Sequence, residues 1–192
     1  MRIINFDLSM KDLFWGNILL IVCCGFYLAW WLLAFRPEDA IKGMKSGWLL
    51  IPAALAGFIA VALIVQGVTA APAMRELFPG KWLIWGGIAA YIILLVITRL
   101  FFNRPVTSEL LLIIGWAVLA LSEINALYGM HGFSRGTALA FAVVVTAALL
   151  LCLVCYVLYY RLDSRMAYWD GMMPLLLAAL VMAGISVVMA IE

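Results

Sequence analysis

The chain has 192 residues, of which 68% are hydrophobic and 11% charged, with a mean hydropathy of +1.17. Soluble domains carry about 25% charged residues, so a water-soluble fold of this length is excluded and lipid is the solvent. The net charge of +2 is too small to suggest a nucleic-acid partner, and a single histidine, His131, argues against bis-histidine haem and histidine-rich metal centres, so no cofactor is expected.

Residues 1–12 interleave apolar Ile3, Ile4, Phe6, Leu8 and Met10 with Arg2, Asp7, Lys11 and Asp12. That pattern fits either a short interfacial segment or a poorly ordered terminus. The apolar run that follows is too long for the core of a secretion signal and has no small-residue cleavage pattern after it. It reads as a first spanning helix.

Six apolar runs are expected to span, at about 13–35, 47–69, 82–98, 110–127, 138–159 and 174–191. Each is near the ~20 residues that a helix needs to cross a bilayer. The breaks between them are short and polar or turn-forming, so successive helices should be antiparallel neighbours. The expected fold is all-α: a polytopic integral membrane protein, a six-transmembrane-helix bundle with short loops and one transmembrane domain over 1–192. Pro174 suits the first turn of the last helix, and Pro52 is expected to kink the second.

Aromatic residues sort to the two ends of these runs. Trp15, Trp82, Trp85, Tyr128 and Phe133 fall near one membrane face, and Trp30, Trp31, Trp48, Phe101, Tyr159 and Trp169 near the other. These are interfacial belts, with Trp116 as the exception inside the fourth run. Basic residues number seven on the hairpin-tip side against five on the N-terminal side, which by the positive-inside rule places both termini outside. Trp-Gly near the start and Arg-Pro at the end recur in the first and third helices, at Arg36-Pro37 and Arg104-Pro105. The simpler reading is that membrane hairpins share such residues at their interfaces. Ala53 and Gly57, Gly86 and Ala90, and Ala179 and Ala183 are small residues four apart, which reads as packing seams.

The fourth run carries the sharpest signal. Glu123 is the only carboxylate inside any long apolar run, and Ser122 and Asn125 flank it. A carboxylate inside a spanning helix costs about 2.5–3.5 kcal/mol on insertion scales, so it is rare unless partnered or used. At 100° per residue Glu123 shares a face with Trp116 and Leu127, whereas Asn125 points about 200° away. The two can line one cavity only if the helix unwinds, which Gly129 and Gly132 would permit. Asn17, Gln66, His131 and Arg135 fall in the same outer third of the membrane. A ligand-binding or proton-coupling site is therefore expected from Glu123, Asn125, Gln66, Ser122, Asn17, His131, Arg135 and Trp116. The structural alternative has Glu123 paired with Arg135 or His131, fastening the loop between the fourth and fifth helices.

The four cysteines, Cys23, Cys24, Cys152 and Cys155, all lie in apolar runs. Cys152 and Cys155 have CxxC spacing without an adjacent base or electropositive helix start, so small apolar packing is the better reading, although the two pairs share a depth and are able to meet. No phosphate-cradling glycine loop, nucleophile elbow or HExxH motif is present.

Six spans in about 190 residues, with polar groups gathered near one face, resemble the substrate-binding components of vitamin and micronutrient importers in size and span count. That resemblance implies cytoplasmic termini, against the basic-residue count. The functional expectation is a small transport or small-molecule-binding component in a prokaryotic plasma membrane, in contact with the lipid bilayer and with a homo-oligomer or larger membrane complex as partner. A non-catalytic subunit acting through helix contacts is the alternative. A lipid-modifying enzyme using Glu123 or His131 as acid or base is the third.

Overall fold

The computed structural model describes residues 2–35, 46–71, 75–102 and 108–191. The described residues form six α-helices: α1 (Arg2–Ala34), α2 (Leu50–Ala70), α3 (Gly80–Phe102), α4 (Ser108–Gly129), α5 (Arg135–Leu158) and α6 (Ser164–Ile191). Short 3-10 turns at Ser46–Leu49 and Tyr159–Arg161 precede α2 and follow α5, and no strand occurs among the described residues. All six helices are long and apolar enough to cross a membrane. The protein is an integral membrane protein of all-α class.

Helix starts depart from the edges of the apolar runs. Residues 2–12 are neither a separate segment nor irregular, because α1 runs unbroken through them for 33 residues. α6 begins ten residues ahead of Pro174, so that proline is interior to the helix rather than in its first turn. It has no N–H to give the turn before it. Pro52 behaves in the opposite way: it falls in the first turn of α2, where a missing N–H is harmless, so no kink is required there. The Arg36-Pro37 and Arg104-Pro105 tips lie outside the described residues.

Packing follows a ring. α1 lies most closely against α2 and next against α6; α6 packs on α5, α5 on α4, and α4 touches α2 to close the circuit. α3 stands outside this ring and packs on α4. The α1–α2 seam depends on absent side chains. A Cβ at Gly16 would lie 2.5 Å from Ile64, and one at Gly67 would lie 2.8 Å from Leu13. Gly57 meets the Cys23 sulfur, so the expected second-helix seam forms, against α1. The expected Gly86–Ala90 seam does not: a side chain at Gly86 would touch nothing, whereas Gly87, one residue on, faces Val118 of α4.

The core is built from Leu13, Ile64, Ala120, Ile124, Leu127, Val145, Met182 and Ile185, all fully buried. Several hydroxyls inside the spans turn back onto their own helices. Thr98 donates to the Leu94 carbonyl at 2.7 Å, Thr146 to Ala142 at 2.8 Å and Ser186 to Met182 at 2.8 Å. In lipid this local bonding satisfies groups that water cannot reach.

Candidate functional site

Glu123 sits on the inward face of α4, one turn after Ala120 and one before Leu127, and is 0% exposed. Its partner is Asn17 of α1, also 0% exposed, whose Nδ2 donates to Glu123 Oε1 at 2.5 Å. This corrects the expected pairing with Arg135 or His131. Both of those residues are exposed, Arg135 as the first residue of α5 and His131 in the preceding turn. The other oxygens of the pair, Glu123 Oε2 and Asn17 Oδ1, have no hydrogen-bond partner among the described residues, and neither has the buried Ser9 Oγ further along α1. The pair is thus a sealed polar tie between two helices.

Asn125 points the other way and does a different job. Its Oδ1 accepts from Leu77 N at 2.8 Å and Phe78 N at 3.1 Å, and its Nδ2 donates to the Phe78 carbonyl at 3.0 Å. The side chain therefore anchors the connection between α2 and α3. α4 stays regular through Gly129, so the expected unwinding is absent and Glu123 and Asn125 do not line one cavity. Gln66 is exposed on the outer surface of α2, and Ser122 is half-buried without a recorded hydrogen bond. Glu123, Asn125 and Gln66 thus face three different surroundings: the bundle interior, the connection before α3 and the exposed side of α2.

The end of α4 is capped by groups from elsewhere. His131 adopts φ 64°, the left-handed cap conformation, and Gly132 N donates to the Leu127 carbonyl at 2.9 Å. Arg75 reaches across, donating from Nε to the Tyr128 carbonyl at 2.7 Å and from Nη2 to the Phe133 carbonyl at 3.3 Å. Its guanidinium lies 4.1 Å over the Tyr128 ring. Arg75, not Arg135, is the cation that fastens the turn between α4 and α5.

A cavity with polar groups in a mostly apolar wall lies in the opposite half of the bundle. It has a volume of about 290 Å³ and is walled by α1, α4, α5 and α6, with no residue from α2 or α3. Glu109 at the start of α4 and Asp170 near the start of α6 supply two carboxylates. Aromatic rings come from Tyr27, Trp31, Trp116, Tyr156 and Tyr159. All four cysteines also face it, which brings together the two pairs that share a depth in sequence; each is a free thiol. Tyr27 on α1 and Glu109 and Leu112 on α4 are exposed and mark its open side. Leu20, Trp116 and Ala178 line its end toward the Asn17–Glu123 tie. The Trp116 indole N–H, buried in that wall, has no hydrogen-bond partner among the described residues.

Of the eight residues expected from sequence to form the ligand-binding or proton-coupling site, only Trp116 lines this cavity. Leu20 follows Asn17 by three positions, so the buried Asn17–Glu123 tie sits about one turn beyond the Leu20 end of the cavity. Glu109 and Asp170 were missed because the spans were drawn at the edges of the apolar runs, which excluded both. Their helical starts, in α4 and α6, extend past those edges. No group of three or more His, Cys, Asp or Glu side chains with metal-holding geometry occurs among the described residues.

Comparison with family models, with curated proteins and with solved structures finds no match. The resemblance to importer binding components therefore rests on size and span count alone.

Proposed function

We propose that the protein is a small-molecule-binding membrane protein, acting in transport or in ligand capture, and that its site is the cavity between α1, α4, α5 and α6. The observation that carries this reading is the cavity itself. Its volume of about 290 Å³ is close to the lower end of the ~300–1,000 Å³ found for ligand pockets. Its walls are mostly apolar with a few convergent polar groups, the composition that ligand sites have. A buried indole N–H without a partner in that wall is a donor that a ligand acceptor or a water would satisfy. A prokaryotic plasma membrane is the setting we assign.

The test is thermal unfolding of the purified protein in detergent against a metabolite library, wild type beside Ala178→Phe. A ligand that binds the folded state raises its stability by mass action. Compounds should stabilise the wild type and lose that effect when a phenyl ring fills the Ala178 end of the cavity. A screen in which hits stabilise both proteins equally refutes the site, and a screen with no hits refutes the reading.

A second reading, a non-catalytic subunit acting through helix contacts, is favoured by α3. That helix packs on α4 and presents Gly86, Ile92 and Ile93 outward. Co-purification of a stoichiometric larger partner, lost on Gly86→Phe, would support it.

A further inference from the structure

We propose that the ligand of this cavity is an organic cation with an apolar body. The inference rests on the small-molecule reading above and assigns its substrate class. The charge balance of the wall is one-sided: it contains Glu109 and Asp170, and no Lys, Arg or His among its described residues. Both carboxylates also interact within the chain, so the cation is held by their summed field and by ring faces rather than by a vacant acid. Asp170 is half-buried, so its field is screened less than that of the exposed Glu109. An anionic ligand would be repelled by it and would lose its hydration besides.

The aromatic wall is the second observation, independent of charge. Trp31 packs one ring face against Phe35, with centroids 4.5 Å apart and a tilt of 32°, and is held on three further sides. Its Nε1 donates to the Tyr168 carbonyl at 3.1 Å, and its ring centroid is 6.1 Å from that of Tyr159 in an edge-on arrangement. On the third side the ring occupies the space where a Cβ at Gly171 would be, so a glycine is needed there for the indole to fit. With Tyr27 nearby on the same helix, this makes a preorganised set of rings beside the carboxylates. Ring faces attract ammonium groups, indole most strongly, and aromatic cages are the common device for quaternary ammonium ligands.

The rest of the wall selects against small inorganic cations. Leu20, Ile113 and Leu175 offer no oxygen ligands to replace a hydration shell, and an apolar body is what they would bury. The open side, at Tyr27, Glu109 and Leu112, faces outward between α1 and α4. An amphiphilic cation dissolved at the membrane interface has a direct approach there.

The experiment uses three probes of one shape on the purified full chain: benzyltrimethylammonium, its uncharged carbon analogue neopentylbenzene, and the anion benzylsulfonate. Binding is read by tryptophan fluorescence and by the shift in unfolding temperature. The cation should bind at least about tenfold more tightly than the neutral analogue, and the anion not at all. Asp170→Asn, Glu109→Gln and Trp31→Leu should each weaken the cation by about tenfold and leave the neutral analogue unchanged. Glu109 is exposed, so Glu109→Gln serves if Asp170→Asn does not fold. Equal affinity for cation and neutral analogue, or cation binding indifferent to Glu109→Gln and Trp31→Leu, overturns the assignment of a cation and leaves the cavity as a ligand site. If the three probes and the metabolite library all fail to bind, the cavity reading falls with it.

Discussion

Asn17 and Glu123 lie 106 residues apart in sequence and meet inside the membrane, with the Asn17 amide donating to the Glu123 carboxyl. No other hydrogen bond to Glu123 occurs among the described residues, and one carboxyl oxygen is left unpartnered. Removing the donor exposes the asymmetry of buried polar groups, because an orphaned group costs more than a made bond contributes. Asn17→Ala should lower stability by about 1–3 kcal/mol. Glu123→Gln keeps an acceptor for Asn17 and should change stability by less than about 1 kcal/mol. It should also leave ligand binding at the cavity unaltered. Thermal unfolding in detergent, with and without a cavity ligand, checks both; a loss of ligand binding in Glu123→Gln would move the site back to the carboxylate.

Arg75 ties two carbonyls and a ring at the end of α4. Bonds from a charged donor are worth about 1.5–3 kcal/mol, roughly twice neutral ones. Arg75→Ala should therefore cost about 2–3 kcal/mol. Arg75→Lys keeps a charge over Tyr128 but loses the planar fork that reaches both carbonyls, and should recover only part of that loss. Unfolding temperatures of the three proteins measure it. If Arg135→Ala proves as damaging as Arg75→Ala, the assignment of the fastening cation is wrong.

His131 holds a left-handed backbone conformation, φ 64°, that costs a non-glycine residue about 1–2 kcal/mol. Its side chain is exposed and makes no hydrogen bond among the described residues. His131→Gly should raise stability by about 1 kcal/mol. The same variant should keep ligand binding, which separates a cap residue from a ligating one.

Gly171 admits the Trp31 indole into the wall between α1 and α6. Gly171→Ala forces that ring to move, and overpacking of this kind costs about 1–3 kcal/mol. Tryptophan emission should shift as Trp31 leaves its bond to the Tyr168 carbonyl, and cavity binding should weaken in step. Gly86→Ala is the control, since a side chain there meets nothing; it should change neither property.

The six spans were legible because each is a run of apolar residues long enough to cross lipid, and lipid leaves backbone groups no alternative to helical bonding. Helix ends were less legible. Asp170 rides on the second turn of α6, and the helix holds there although the residues are polar, because the interface tolerates them. Drawing the span from Pro174 hid that carboxylate and the cavity with it. Within α4 the 100° rule did separate Glu123 from Asn125: one faces α1, the other the connection before α3. What periodicity cannot supply is the partner. Asn17 and Arg75 reach their contacts through the way α1 and the α2–α3 connection pack on α4, and nothing local to residues 123–135 encodes that choice.

α1 packs against both its immediate successor and α6, the helix farthest from it in sequence. Chains enter the membrane N-terminal end first, so the α6-facing side of α1 waits through the synthesis of four intervening helices before it is covered. Trp31 has no Gly171 to rest on until then, and the cavity does not exist in any shorter nascent chain. On the small-molecule reading proposed above, a ligand would bind only once α6 has packed on α1, and its presence would protect that packed state from membrane proteases.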